Sequence, residues 1–247
     1  MPLPSLRPSP RHALPTSIRC RSILAIGLLL ALAVAALPAA AQDNPSQSSD
    51  SGVVPSAPPT VLATGWRTYQ QVDDNYAVTL PPTWRRIDLD PATVAASVKA
   101  VTAEDPTIAD WLGQQAATLV ASDVSFFAFD FSPGSQSSGF ATNVNVIHTP
   151  LPGPIPLTTV VELSAAQLEN TSSIVGAVDH QPVTLAAGPA ERFNYHLQLA
   201  GRSLSVRQFL VVHGSDSYVL TLTTTDDQAD SYSDTFDQIG QSFQLLS

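Results

Sequence analysis

An α+β fold built on an antiparallel sheet is predicted by two features of the last third of the chain: three strand-like runs joined by short turns, and one strongly amphipathic helix behind them. In the first run Phe193, Tyr195, Leu197 and Leu199 alternate with Arg192, Asn194, His196 and Gln198, the period-2 pattern of a half-buried strand. Leu204–His213 and Tyr218–Thr225 are rich in branched and aromatic side chains, and Gly201 and Gly214–Ser217 permit the turns between the runs. The pattern predicts a three-stranded meander. Tyr232, Phe236, Ile239 and Phe243 then step by four, three and four residues, so at about 100° per residue they share one helical face. That face is expected to cover the sheet.

The amino terminus sets the expected compartment. Arg7, Arg11, Arg19 and Arg21 come first with no acid, an uninterrupted apolar run follows from Ile23 to Leu37, and Ala39-Ala40-Ala41 closes it. This is the basic, apolar, small-residue order of a secretory signal peptide over 1–41, with cleavage expected before Gln42 and export by general secretion. The alternative is a membrane anchor through an uncleaved signal, although the run is shorter than the roughly 20 residues that span a bilayer comfortably. The single cysteine, Cys20, precedes the apolar run, which disfavours lipid anchoring. Met1 and Cys20 are the only methionine and cysteine, so the mature chain has no disulfide, thiolate nucleophile or Cys-ligated zinc. Four of the 11 basic residues and none of the 21 acidic ones precede residue 42, which leaves a mature net charge of −14. Such a surface repels phosphate backbones and anionic headgroups, so nucleic acid is not expected as a partner. Residues 42–65 are rich in Ser, Pro and Gln without apolar periodicity and are expected to form a flexible tether, leaving 66–247 as one domain.

Within the domain, Tyr76, Val78 and Leu80 predict a strand, Pro81-Pro82 a corner, and Trp84–Ile87 a second short strand. Asp90 is placed to cap a helix whose first turn starts at Pro91 and whose face carries Val94, Val98 and Val101. A second helix is expected over 106–121, with Trp111 and Leu112 in its stripe. The aromatic run Ser125–Phe131 predicts a strand buried on at least one face. Ala141–Thr149 is its hairpin partner, with Val144 and Val146 on one side. Leu151–Pro156 is a rigid crossing loop. Leu157, Val160, Val161, Ala165 and Leu168 mark a helix ending before Asn170. Val178–Leu185, interrupted by Pro182, predicts a strand at an edge or a bend.

The order of these pieces resembles the PsbP-like superfamily. The likeness is carried by the strand running into P-x-x-W at Pro81–Trp84, by G-x-A-E-R at Gly188–Arg192, by Y-x-L-T at Tyr218–Thr221 and by Ser242-Phe243, over about Tyr76 to Phe243. The resemblance implies a three-layer α/β/α sandwich with a mainly antiparallel central sheet. It is similar to extrinsic photosystem subunits and to bacterial envelope proteins of the LpqN and DcrB kind, a family largely of non-enzymatic accessory or binding proteins. Fold-level analogy supplies no site, so no residue role and no photosynthetic role transfers with it.

The residues themselves offer few chemical candidates. His148, His180, His196 and His213 follow the signal, and none stands in an H-x-x-x-H or H-E-x-x-H arrangement. The serine-rich loop at Gly134–Gly139 does not match G-x-S-x-G, and Gly214-Ser215-Asp216-Ser217 lies between two strand runs, where a hairpin turn belongs. No catalytic residue and no cofactor are expected. Asp227, Asp230, Asp234 and Asp237 are spaced three, four and three apart, on the face opposite the apolar stripe of the last helix. They are the candidates for a metal ion or a basic partner, against the plainer reading of a solvated outer face. Asn170-Thr171-Ser172 fits the glycosylation acceptor pattern; in a bacterial exporter, the source the signal suggests, the match is expected to be coincidence. The expected function is an exported non-catalytic accessory or binding protein of the cell envelope or extracellular space, presenting its domain to a protein partner. The alternatives are a metal-dependent or hydrolytic enzyme assembled from dispersed His and Asp residues, and a small-ligand binder with its site near Trp111 and Phe127.

Overall fold

The computed structural model describes residues 64–90, 92–104, 112, 122, 124–135, 140–199 and 201–246. The signal peptide expected over 1–41, most of the 42–65 tether and the serine-rich loop at 136–139 lie outside the described residues. So does the helix expected over 106–121, apart from Leu112, which is buried.

The chain runs β1 (Arg67–Gln71), β2 (Tyr76–Leu80), β3 (Trp84–Ile87), α1 (Val94–Glu104), β4 (Val124–Asp130), β5 (Asn143–Pro150), α2 (Leu157–Glu169), β6 (Ile174–Leu185), β7 (Gly188–Leu199), β8 (Arg202–His213), β9 (Asp216–Thr225), a 3-10 turn (Asp226–Gln228), α3 (Ala229–Ser242) and β10 (Gln244–Leu245). The fold is α+β, with every strand pairing antiparallel. A seven-stranded sheet has the order β3-β4-β5-β9-β8-β7-β6, and a small sheet has the order β1-β2-β10. The expected meander is β7-β8-β9, and the expected hairpin is β4-β5. The β8-β9 turn is held to two residues, with His213 opposite Asp216. Gly214 takes φ +61° at its first position, where the strands' twist requires a residue without a Cβ penalty.

Three differences from the sequence reading have plain causes. β6 starts at Ile174, four residues before the expected Val178, because a register shift between Val175 and Asp179 absorbs Gly176 and breaks the alternation. Pro182 is tolerated because β6 is the edge of the sheet. Asp90 does cap α1, but its carboxylate accepts the Ala92 N–H at 2.7 Å and its carbonyl accepts those of Thr93 and Val94, so regular helix begins at Val94. β1 and β10 went unread because Arg67–Gln71 is almost wholly polar and Gln244–Leu245 has only two residues.

The large sheet is covered on both faces, as a three-layer sandwich requires. One face carries Phe126, Ala128, Val144, Val146, Phe209, Val211, Leu220 and Leu222, which pack with Phe236, Ile239 and Phe243 and with Tyr76, Val78 and Leu80 of the small sheet. The other face carries two separate clusters. Phe127, Phe129 and Ile147 pack with Val101 of α1 and with Leu112, while Phe193, Tyr195, Val206 and Leu210 pack with Val160, Val161 and Leu168 of α2.

Candidate functional site

The four aspartates do not form one stripe. Asp227 lies in the 3-10 turn, exposed, beside a groove of about 310 Å³ lined by Arg202, Ser203, Thr225, Asp226 and itself. Asp230 and Asp234 are exposed on α3. Asp237 turns inward to the sheet, where its Oδ1 meets Arg207 Nη1 at 2.8 Å and Arg192 Nη1 at 3.2 Å. Arg207 also donates to Asn194 Oδ1 and to the Ser233 carbonyl. This carboxylate therefore fastens α3 to β7 and β8. Among the described residues no group of three or more His, Cys, Asp or Glu side chains is arranged to hold a metal ion.

Three of the four histidines each meet a carboxylate. His180 Nδ1 lies 2.7 Å from Glu191 across the β6-β7 pair, and His196 Nδ1 lies 2.8 Å from Asp226 on an exposed surface. His148 is the most committed. Its Nδ1 lies 3.0 Å from Asp74 in the β1-β2 turn and its Nε2 lies 2.8 Å from Asp216 at the start of β9, while its ring stacks on Tyr218 at 4.9 Å. Both nitrogens can donate at once only in the imidazolium form. Burial opposes that charge, but the hydrogen bonds to Asp216 and Asp74 outweigh it and hold the pKa of His148 above its ordinary value. The register pairs His196 with Ser205 and His213 with Asp216, so these two histidines do not meet.

A raised folded-state pKa means that His148 contributes stability fully below its unfolded value, near 6.5, and loses it as pH climbs through the folded value. Urea unfolding of the wild type is expected to show stability falling from pH 6 toward pH 9, with a His148→Gln variant showing a flatter profile over that window. Equal slopes in the two proteins would remove His148 as the cause.

A third group is a polar row on the sheet face that carries the two clusters. Asn145 of β5 pairs with Thr221 of β9, and Thr221 pairs with Gln208 of β8, so the three lie side by side across neighbouring strands. Asn143 sits two positions along β5, on the same side. Asn143 and Gln208 are 0% exposed and Asn145 is 1% exposed. Tyr195 Oη donates to Gln208 Oε1 at 2.8 Å, and Asn143 Nδ2 donates to the Ala141 carbonyl at 2.9 Å. That leaves Asn145 Nδ2, Gln208 Nε2 and Asn143 Oδ1 buried without a hydrogen-bond partner. The sequence reading placed Val144 and Val146 on one side of β5 and assigned no role to the asparagines between them. The available signal was the pattern Asn143-Val144-Asn145-Val146 on a strand that a three-layer fold covers on both faces.

No family model matches the chain, and no curated protein matches its sequence. Similar solved structures include LpqN of Mycobacterium tuberculosis, described as involved in cell envelope biogenesis, at 14% identity over 70% of this chain and 83% of that one, with a TM-score of 0.46. Cyanobacterial PsbP (CyanoP) of Synechocystis is similar at 13% identity over 77% of this chain and 98% of that one, with a TM-score of 0.45. A protein of Bacteroides thetaiotaomicron is similar at 7% identity over 74% and 50%, with a TM-score of 0.43.

Proposed function

We propose that this chain is an exported, non-catalytic accessory or binding protein of the cell envelope or extracellular space, whose domain is presented to a protein partner on the tether at 42–65. The reading is carried by the way the reactive side chains are occupied. A general base or metal ligand needs a ring nitrogen with a lone pair to give. Both nitrogens of His148 face carboxylates and Asp237 holds two arginines, so these groups are occupied as ties; His180 and His196 each keep Nε2, but among the described residues neither belongs to a group of three or more His, Cys, Asp or Glu side chains that could hold a metal ion. The ionisable groups act as ties between β1-β2, β5, β6-β7, β9 and α3, which suits a rigid presenting scaffold. Among the described residues no helix is long and apolar enough to cross a membrane. The −14 charge of the mature chain favours a partner surface with basic side chains.

The experiment has two arms. The first is amino-terminal sequencing of the native protein from cell fractions, expected to begin at Gln42 in the envelope or medium; an intact Met1 in the cytosol would sink the export reading. In the second, chains 42–247 and 66–247 are used as affinity baits on the native envelope. Both are expected to enrich the same protein, released by salt, and enrichment of none by either bait contradicts a partner-binding role.

A further inference from the structure

We infer that the groove where β8 and β9 part, between Arg202 and the Asp226-Asp227 turn, binds a small zwitterion with an ammonium and a carboxylate on one short body, as in a free α-amino acid. The inference goes beyond the partner-binding role and stands or fails separately from it.

The groove follows from the strand register. β8 pairs with β7 from Arg202 onward, but its pairing with β9 begins only at Leu204, opposite Thr225. After Thr225 the chain leaves the sheet for the 3-10 turn Asp226–Gln228. Arg202 and Ser203 therefore have a strand on one side only, and the other side opens into the groove of about 310 Å³. Arg202, Ser203, Thr225, Asp226 and Asp227, which line it, are all described residues. One wall is the start of β8 and the other is the turn.

The two walls carry opposite charges that do not neutralise each other. Arg202 is exposed and, among the described residues, makes no ion pair and no side-chain hydrogen bond. Across from it Asp227 is exposed and makes no ion pair either. Asp226 Oδ1 meets His196 Nδ1 at 2.8 Å, which holds that carboxylate at the groove. These charges select the ligand. A lone carboxylate bound at Arg202 would also face two aspartates, and a lone ammonium bound at the aspartates would face Arg202, so either is repelled by one wall. A molecule with both groups satisfies both walls. Ser203 Oγ accepts from Gln198 Nε2, which leaves its O–H to donate to a carboxylate seated on Arg202. Volume sets the size. Small-molecule pockets start at about 300 Å³, so this groove suits a body of a few heavy atoms and not a polymer. It is open to water, which weakens charged contacts, so binding in the millimolar range is expected.

The test uses the whole mature chain, 15N-labelled, at neutral pH, with the backbone amides of Ser203 and Asp227 and the Nε–H of Arg202 assigned. Glycine is the probe. Glycinamide keeps the ammonium without the carboxylate, and N-acetylglycine keeps the carboxylate without the ammonium. Saturable shifts of all three signals by glycine at millimolar concentration are expected, at least tenfold weaker with either control. Arg202→Gln and Asp227→Asn are each expected to weaken the glycine response of the remaining amides at least tenfold. Both side chains are exposed, so both variants are expected to keep the fold and Tm of the wild type. Absence of a saturable shift with glycine in the folded wild type would overturn the proposal. Equal shifts with glycinamide would make the groove a cation site, equal shifts with N-acetylglycine an anion site, and either result contradicts the zwitterion. A full glycine response in folded Arg202→Gln would also contradict it.

Discussion

Phe243→Ala is expected to destabilise the protein by about 3–5 kcal/mol, the range for truncating a buried aromatic side chain. Phe243 is 1% exposed, its ring stacks on Tyr76 at 5.3 Å, and it lies 5.9 Å from the ring of Tyr218. It therefore joins the end of α3, the small sheet and β9 at one point. Its backbone is equally committed: the N–H bonds the Gly240 carbonyl, and the C=O accepts from Ala187 at 3.0 Å. Beyond it Gln244 and Leu245 pair with Ala77 and Tyr76. Losing the ring leaves a cavity where two sheets and a helix meet, and the surrounding strands cannot close on it freely. Thermal unfolding should show Tm lowered by about 10 °C or more. A loss below about 1 kcal/mol would mean that the ring is not packed there.

The second large effect is expected at Gly240, and its sign opposes helix propensity. On propensity alone, Gly240→Ala in α3 would stabilise by about 1 kcal/mol. A Cβ at this position would stand 2.4 Å from Cε2 and 2.5 Å from Cζ of Phe209, a ring 2% exposed in the middle of the sheet. The helix approaches β8 so closely that only hydrogen fits. Overpacking of this kind destabilises by about 1–3 kcal/mol, so Gly240→Ala is expected to be less stable than the wild type and Gly240→Val worse. A Phe209→Leu change makes room, so the Gly240→Ala, Phe209→Leu double variant should lose less than the two single losses added together. Chemical denaturation of the four proteins measures the coupling. A stabilised Gly240→Ala would place the helix farther from the sheet.

The layered fold was legible where one physical signal dominated. The alternation through Phe193–Leu199 and the helical stripe of Tyr232, Phe236, Ile239 and Phe243 each encode one buried face, and both appear in the structure. Elements escaped where the signal was divided. Asn143, Asn145 and Gln208 look like solvent-facing positions because sequence alternation shows only that two faces differ, without saying that both are covered. Asp237 looked like a member of an outward stripe, since helical spacing places it opposite Phe236 and Phe243. At the helix flank, however, Arg192 and Arg207 from β7 and β8 reach it. Long-range pairs of this kind, like His148 with Asp74 and Asp216, depend on strand order, and no local pattern records strand order.

The close seating of α3 on the large sheet is the claim on which the two-sided burial, the Asp237 tie and the sandwich all rest. It is tested most directly by nuclear Overhauser contacts between the Gly240 Hα protons and the ring protons of Phe209. Strong contacts are predicted, with the Gly240 protons displaced by the ring current, together with contacts from the Phe243 ring to those of Tyr76 and Tyr218. Absence of both sets in the folded protein would contradict the account.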